Sequence, residues 1–248
     1  MKTAFITGAS SGFGKAIAQK LLENNYKCVL LARRKEKLEE FKKNFNNQVH
    51  IIACDVRDKN TLFKEINALP LEFKKIDVLV NSAGLALGAN EFHKMSIEDM
   101  ETMVDTNIKG LLYVSKAVLE IMTNDAYIFN FGSVAANYPY FGANVYAGTK
   151  AFVGQFSLAL RNDLRHTNIK VCDVAPGLCK TEFSIVRFKG DINAANKVYE
   201  NTKYLSAEDI AEAVFSILSL NSYVNINRIE LMPQTQTWSG FHIVKDEE

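Results

Sequence analysis

Short, mostly apolar runs alternate with amphipathic stretches along nearly the whole chain. Thr3–Thr7, Cys28–Ala32, Val49–Cys54, Ile76–Val80, Ala126–Phe131, Ile169–Val174 and Arg228–Met232 read as strands. Between them, Lys15–Leu22, Thr61–Leu69, a long run from Ser96 to about Met122, another from Asn144 to about Arg165, and Ile210–Leu218 space their apolar residues as helices do. Pro70 closes the second of these. Ser96-Ile97-Glu98-Asp99 and Ser206-Ala207-Glu208-Asp209 are helix starts with a capping serine. Strand and helix in strict alternation predict an α/β fold, a doubly wound sheet of seven mainly parallel strands with helices on both faces. Residues 178–204 break the pattern, being polar and without strong periodicity, and are expected to form a mobile lid. The tail 233–248 holds Trp238 and Phe241 among polar residues, which predicts that it packs on a neighbouring surface.

Glycine clusters sit where such a sheet would bind a ligand. The first strand runs into Thr7-Gly8-Ala9-Ser10-Ser11-Gly12-Phe13-Gly14 and then directly into a helix. Gly8 permits a tight turn, Gly12 lets backbone approach a pyrophosphate, and Gly14 lets helix and strand pack closely. The helix start offers free N–H groups to phosphate. The second strand ends at Ala32, where an NAD enzyme usually carries an acid, and Arg33-Arg34 follow. Two guanidiniums there suit a 2′-phosphate and favour NADP(H), although they also begin a basic, solvated helix. Asp55-Val56 closes the third strand; Asp55 can accept from an adenine amino group or cap the helix near Lys59. The fourth strand ends in Asn81-Ser82-Ala83-Gly84, small enough for a cofactor to lie against it. Ala175-Pro176-Gly177-Leu178-Cys179-Lys180-Thr181 follows the sixth strand at the same sheet edge.

Tyr146 and Lys150 are four apart in Asn144-Val145-Tyr146-Ala147-Gly148-Thr149-Lys150, so a helix would present both on one face. A nearby ammonium favours phenolate and is expected to lower the Tyr146 pKa, fitting it to exchange a proton with an alcohol or carbonyl oxygen. Ser133 ends the fifth strand on the edge shared with the glycine turn, and its hydroxyl can donate to a substrate oxygen. No GxSxG elbow surrounds it and no histidine partner is evident, which excludes a serine hydrolase. Asn107, inside a predicted helix, is disfavoured there and calls for a hydrogen-bond partner. Arg187 on the lid can clamp a carboxylate, but equally fits a solvated charge or a contact to cofactor phosphate. Tyr138, Tyr140 and Phe141 either wall the pocket or pack.

Composition narrows the classes further. The 248 residues, 48% hydrophobic and 23% charged, suffice for one large core, so a single domain over 1–248 is expected. A net charge of +1 leaves no footprint for nucleic acid. Cys28, Cys54, Cys172 and Cys179 form no CxxC pair and read as reduced thiols of a cytoplasmic protein. The apolar run after Met1-Lys2 is too short for a signal-peptide core or a membrane span. The four histidines, His50, His93, His166 and His242, are scattered and offer no metal site.

Thr7-Gly8-xxx-Gly12-x-Gly14, Asn81-x-Ala83-Gly84, Asn107, Ser133, Tyr146-xxx-Lys150 and Pro176-Gly177 occur in the order found in the short-chain dehydrogenase/reductases, which the chain resembles over essentially its whole length. Ser82 departs from the family, which usually has a second Asn there. Ala83–Gly88, Asn144–Ser157, Glu182–Asp191 and Val224–Asn227 resemble the NADP-dependent 3-hydroxy acid dehydrogenases of that family, also described as serine or allo-threonine dehydrogenases and malonic semialdehyde reductases. The resemblance implies a Rossmann-like fold, a homotetramer built on the helices from Ser96 and Asn144, and a small 3-hydroxy or 3-oxo acid as substrate. It implies Tyr146 as acid/base, Lys150 on the nicotinamide ribose, Ser133 on the carbonyl oxygen, and Asn107 anchoring a water in a proton relay. It also implies that Thr7, Gly8, Ser10, Ser11, Gly12, Phe13 and Gly14, then Arg33, Arg34, Asp55 and Val56, then Asn81, Ala83 and Gly84, and finally Pro176, Gly177, Leu178 and Thr181 hold NADP(H) together with Tyr146 and Lys150. The competing readings are a broad carbonyl reductase for neutral ketones and a non-catalytic NADP(H)-binding sensor or scaffold.

Overall fold

The structure is a computed structural model that describes residues 1–237. Strands β1 (Thr3–Thr7), β2 (Lys27–Ala32), β3 (Val49–Ala53), β4 (Ile76–Asn81), β5 (Met122–Phe131), β6 (Lys170–Pro176) and β7 (Arg228–Leu231) form one sheet in the order β3-β2-β1-β4-β5-β6-β7. Every pairing in it is parallel. The order reverses between β1 and β4, and the crevice at the carboxyl ends of these strands is where open sheets bind ligands.

Alternation along each strand sorts side chains into two layers. Ala4, Ile6, Val78, Val80, Phe129 and Val174 face helices α1 (Gly12–Glu23), α2 (Lys35–Phe45) and α9 (Ala207–Leu218) through Ile17, Leu21, Leu38 and Val214. Phe5, Leu31, Leu79, Ile128 and Val171 face α3 (Lys59–Asn67), α5 (Leu111–Leu119) and α6 (Asn144–Asp163) through Leu62, Ile66, Val118 and Leu160. Strands buried on both faces explain the continuous apolar runs.

The predicted caps form. Ser96 Oγ accepts from Asp99 N–H at 3.2 Å, and Ser206 and Asp209 make a reciprocal capping box. The helix near Lys59 is capped by Asp58, not Asp55, whose carboxylate instead binds Arg57 at 2.8–3.1 Å. The long helix from Ser96 is also interrupted. α4 (Ile97–Val104) passes through a π-helical turn, Asp105–Gly110, into α5, and β5 begins at Met122, earlier than the apolar run suggested. Residues 178–204, expected without regular structure, carry α7 (Phe183–Arg187) and α8 (Ile192–Lys197), too short for periodicity to reveal. Trp238 and Phe241 lie outside the described residues.

Candidate active site

Two adjoining clefts of about 280 Å³ each open at the carboxyl edge around β1, β4 and β5. The first is walled by Gly8, Ser10, Ser11, Gly12 and Phe13 on one side, Arg33, Arg34, Asp55 and Val56 at the far end, and Ala83 and Gly84 on the floor. The second holds Ser133, Tyr146, Lys150, Pro176, Gly177, Leu178 and Arg187. Thr181 and Phe13 border both.

The glycine turn has the shape an extended anion needs. Gly8 has φ +67° and Gly12 φ +52°, conformations that favour glycine. A Cβ on Gly14 would stand 2.6 Å from the Gly8 carbonyl oxygen, so only glycine lets α1 meet the turn. Ser11 caps α1 with extended backbone but makes no side-chain cap bond, which leaves first-turn N–H groups free for a phosphate. Arg34 donates from Nε and Nη2 to Ser10 Oγ at 3.2 and 3.1 Å and from Nη1 to Glu182 of the lid at 2.9 Å. Arg33 points outward and reaches Asp55 only at 4.0 Å. These residues fit a dinucleotide whose distal end carries a phosphate.

Several expected cofactor residues lie beneath the cleft rather than in its wall. Thr7 Oγ1 donates to the Val80 carbonyl at 3.4 Å and accepts from Ala83 N–H at 3.0 Å, fastening β1 to the turn after β4. Asn81 Nδ2 donates to Ser115 Oγ and Asn130 Oδ1 at 3.1 and 2.9 Å, and Asn130 in turn donates to Ser157. This buried polar chain runs along one face of the sheet, from α5 over β4 and β5 to α6, and fixes the strand ends under the floor.

Tyr146 and Lys150 do share a face of α6, with the ammonium 5.8 Å from the phenol ring centroid. Lys150 Nζ donates to the Phe131 carbonyl at 2.7 Å. Burial depresses the Lys150 pKa to about 8, opposed by the charge of Asp173. The Tyr146 pKa is raised by burial, against the pull of a hydrogen bond with Ser133. This corrects the expectation that Lys150 lowers it. Loss of water around the phenol outweighs every favourable neighbour, so Tyr146 is protonated in this state. Ser133 Oγ accepts from Ala135 N–H at 3.1 Å, leaving its own hydrogen to donate into the cleft.

The π turn explains Asn107. One extra residue swings its side chain onto the backbone of Leu85, donating to the carbonyl at 2.8 Å and accepting from the N–H at 2.9 Å. Its Nδ2 also donates to Thr149 at 3.0 Å, so Asn107 ties the segment after β4 to the turn of α6 that carries Lys150. Gly84 lies between the two, since a Cβ there would sit 3.2 Å from Asn107 Oδ1 and 3.3 Å from Lys150 Nζ.

Arg187 reaches the second cleft but is engaged. Nε donates to the Gly88 carbonyl at 3.1 Å, Nη1 to Tyr140 Oη at 2.9 Å, and Nη2 to the Gly142 carbonyl at 3.4 Å. Tyr140 therefore walls the pocket, whereas Phe141 is exposed outside it and Tyr138 faces Glu230 of β7. Sequence reasoning did not single out Phe183, whose ring tilts against Tyr146 at 5.5 Å, nor Tyr199, which bridges Ser184 and the Cys179 carbonyl at 2.6 and 3.0 Å. It also missed Gln236, which accepts from Leu178 N–H at 2.7 Å. All three lie in the lid or tail, where no periodicity marks a wall residue. The four buried cysteines are free, and burial pushes the thiols of Cys54 to about 11 and of Cys172 and Cys179 to about 12, so none is a nucleophile.

Residues 2–191 match the family model for short chain dehydrogenases. The NADP-dependent 3-hydroxy acid dehydrogenase YdfG of Escherichia coli O6:H1 is 48% identical over 241 residues, covering 96% of this chain and 97% of that protein. Serine 3-dehydrogenase of Agrobacterium fabrum is 42% identical over 245 residues, with 98% of each covered. A solved structure of the closed form of serine dehydrogenase complexed with NADP+ superposes with a TM-score of 0.96 at 46% identity, covering 98% of this chain and all of that one. No helix among the described residues is long and apolar enough to cross a membrane.

Proposed function

The chain belongs to the short-chain dehydrogenase family, and we propose that it moves a hydride between NADP(H) and a small 3-hydroxy or 3-oxo acid such as serine, allo-threonine, 3-hydroxypropionate or malonic semialdehyde. The observation that carries the cofactor choice is Arg34, which with Ser10 closes the far end of the first cleft where a ribose 2′-phosphate would lie. When bound, the nicotinamide supplies or accepts the hydride.

The chain's own groups handle the proton and the oxygen. Ser133 donates to the substrate oxygen and stabilises charge developing there. Tyr146, protonated and dry beside it, gives that oxygen its proton in reduction, and its phenolate takes the proton back in oxidation. Lys150, with one proton on the Phe131 carbonyl, has donors left for ribose hydroxyls and places a positive charge beside the phenol. Asn107 ties the Leu85 backbone to the hydroxyl of Thr149, the residue before Lys150, and its Oδ1 has capacity for a relay water. Phe13 and Phe183 keep bulk water out. The segment 178–204 opens as the lid. Ile97 and Leu158, exposed on α4 and α6, are consistent with a homotetramer built on those helices in the cytoplasm, which light scattering tests.

Arg187 is the carboxylate clamp of this reading. A second reading, a reductase of neutral ketones, is favoured by the three contacts that already occupy its guanidinium and by the aromatic lining of the second cleft. Arg187→Ala separates them. Loss of a charge-assisted bond worth about 1.5–3 kcal/mol cuts kcat/KM for acids by about 10- to 150-fold and spares neutral ketones. Equal loss on both substrate classes rejects the clamp.

A further inference from the structure

Asp173 is a buried acid on β6 that the reaction described above does not use. Strand alternation aims it, with Val171, at the α6 layer. Its carboxylate occupies a niche kept open by two glycines. A Cβ on Gly132, the residue between Phe131 and Ser133, would collide with Oδ1, and one on Gly154 would stand 3.3 Å from Oδ2. Gly154 is one turn from Lys150 on α6, and Lys150 is anchored on Phe131, the residue before Gly132. Oδ2 accepts from Arg228 Nη1 at 2.7 Å across the β6–β7 ladder, and Arg228 also reaches Glu230 at 3.1 Å. Oδ1 completes no side-chain hydrogen bond among the described residues and is turned to the backbone N–H of Gly132, which lowers the Asp173 pKa. The carboxylate is thereby held between Arg228 of β7 and the Gly132 backbone, next to the residue on which Lys150 is anchored.

We propose that Asp173 is a positioning residue that keeps Lys150 charged inside the dry pocket, with Arg228 and Glu230 setting how much of its field reaches the ammonium. The proposal rests on the reading of Lys150 as a cofactor-binding ammonium. The charges facing this carboxylate are Lys150 from α6 and Arg228 and Glu230 from β7, and Tyr146 is the other titratable group beside Lys150. Burial raises the Asp173 pKa while Arg228 and Lys150 lower it, and the same carboxylate opposes the loss of charge on Lys150.

The test is NADP+ affinity of the full chain as a function of pH, by fluorescence or calorimetry. Asp173→Asn keeps the shape and removes the charge. It should move the alkaline loss of affinity down by about 1 pH unit, so that binding is within about twofold of wild type near neutrality and about tenfold weaker at high pH. In a Lys150→Met background the same change should have no further effect on binding. Arg228→Gln, which removes the competing cation, should move the alkaline limb up, and this keeps the test open if Asp173→Asn does not fold. Three outcomes overturn the proposal: an equal loss at every pH, an additive loss in the Lys150→Met background, or shifts of the same sign in both single variants. If Lys150→Met binds NADP+ as wild type does at every pH, the reading of Lys150 itself fails, and this proposal with it.

Discussion

In the proposed function the choice of NADP over NAD turns on Arg34, and Arg34→Ala measures it. The side chain is part exposed and makes an ion pair at 2.9 Å with Glu182, itself half-exposed. Such a pair contributes about 0–1 kcal/mol, so the variant should unfold within about 4 °C of wild type. Against a 2′-phosphate the same guanidinium would make charge-assisted bonds worth about 1.5–3 kcal/mol, less what is spent releasing Glu182. The net is about 0.5–3 kcal/mol, or roughly 2- to 150-fold in NADP(H) affinity, with NAD(H) left within experimental error of wild type. Glu182→Gln should act in the opposite sense, tightening NADP(H) several-fold by removing a competitor that also repels phosphate. The assay is titration of both variants with NADPH and NADH by nicotinamide fluorescence. Equal weakening of the two cofactors by Arg34→Ala would refute the reasoning, since it would mean that Arg34 holds the cleft in shape and does not read the phosphate.

Other expectations follow from the packing and the buried charges. Gly14→Ala puts a Cβ 2.6 Å from the Gly8 carbonyl oxygen and 2.9 Å from that of Thr7, so it should cost about 1–3 kcal/mol in denaturant unfolding and weaken cofactor binding. Gly148→Ala, exposed on α6 with nothing within 4 Å, should instead gain about 0.5–1 kcal/mol, and a matching loss in both variants would rule out the crowding argument. Folding depresses the Lys150 pKa from 10.5 to about 8, so below pH 8 its burial costs about 3 kcal/mol. Between about pH 8 and 10.5 the unfolded chain binds more protons than the folded one, so wild-type stability should rise relative to Lys150→Met across that window and stay parallel to it below. Urea unfolding of both at neutral and alkaline pH reads this directly, and a gap that never changes contradicts a buried ammonium.

The fold was legible because strands buried on both faces leave unbroken apolar runs, as in Phe5 between Ala4 and Ile6, and because Ser96 and Ser206 begin their helices with local chemistry. The glycine turn was legible because Gly8, Gly12 and Gly14 meet backbone demands that few other residues satisfy. The π turn was not, since a single extra residue in a helix leaves no periodic trace even though it aims Asn107. Arg34 with Glu182, and Asp173 with Lys150, are pairs that only the folded sheet brings together. The Tyr146 pKa was misjudged for a related reason. Spacing reveals the neighbour four residues away, whereas the dominant effect is burial, to which the Phe183 ring contributes.

The central claim is that Tyr146 moves the proton while NADP(H) moves the hydride on a small 3-hydroxy acid. It is tested most directly by following nicotinamide absorbance with L-serine, L-allo-threonine, 3-hydroxypropionate, malonic semialdehyde and a neutral ketone, for wild type and Tyr146→Phe, with NADP(H) and with NAD(H). The account predicts turnover of the acids with NADP(H), and its loss by at least about 100-fold in Tyr146→Phe while NADPH still binds. Turnover of the neutral ketone alone, or a wild type that binds NADPH and reduces nothing, would contradict it.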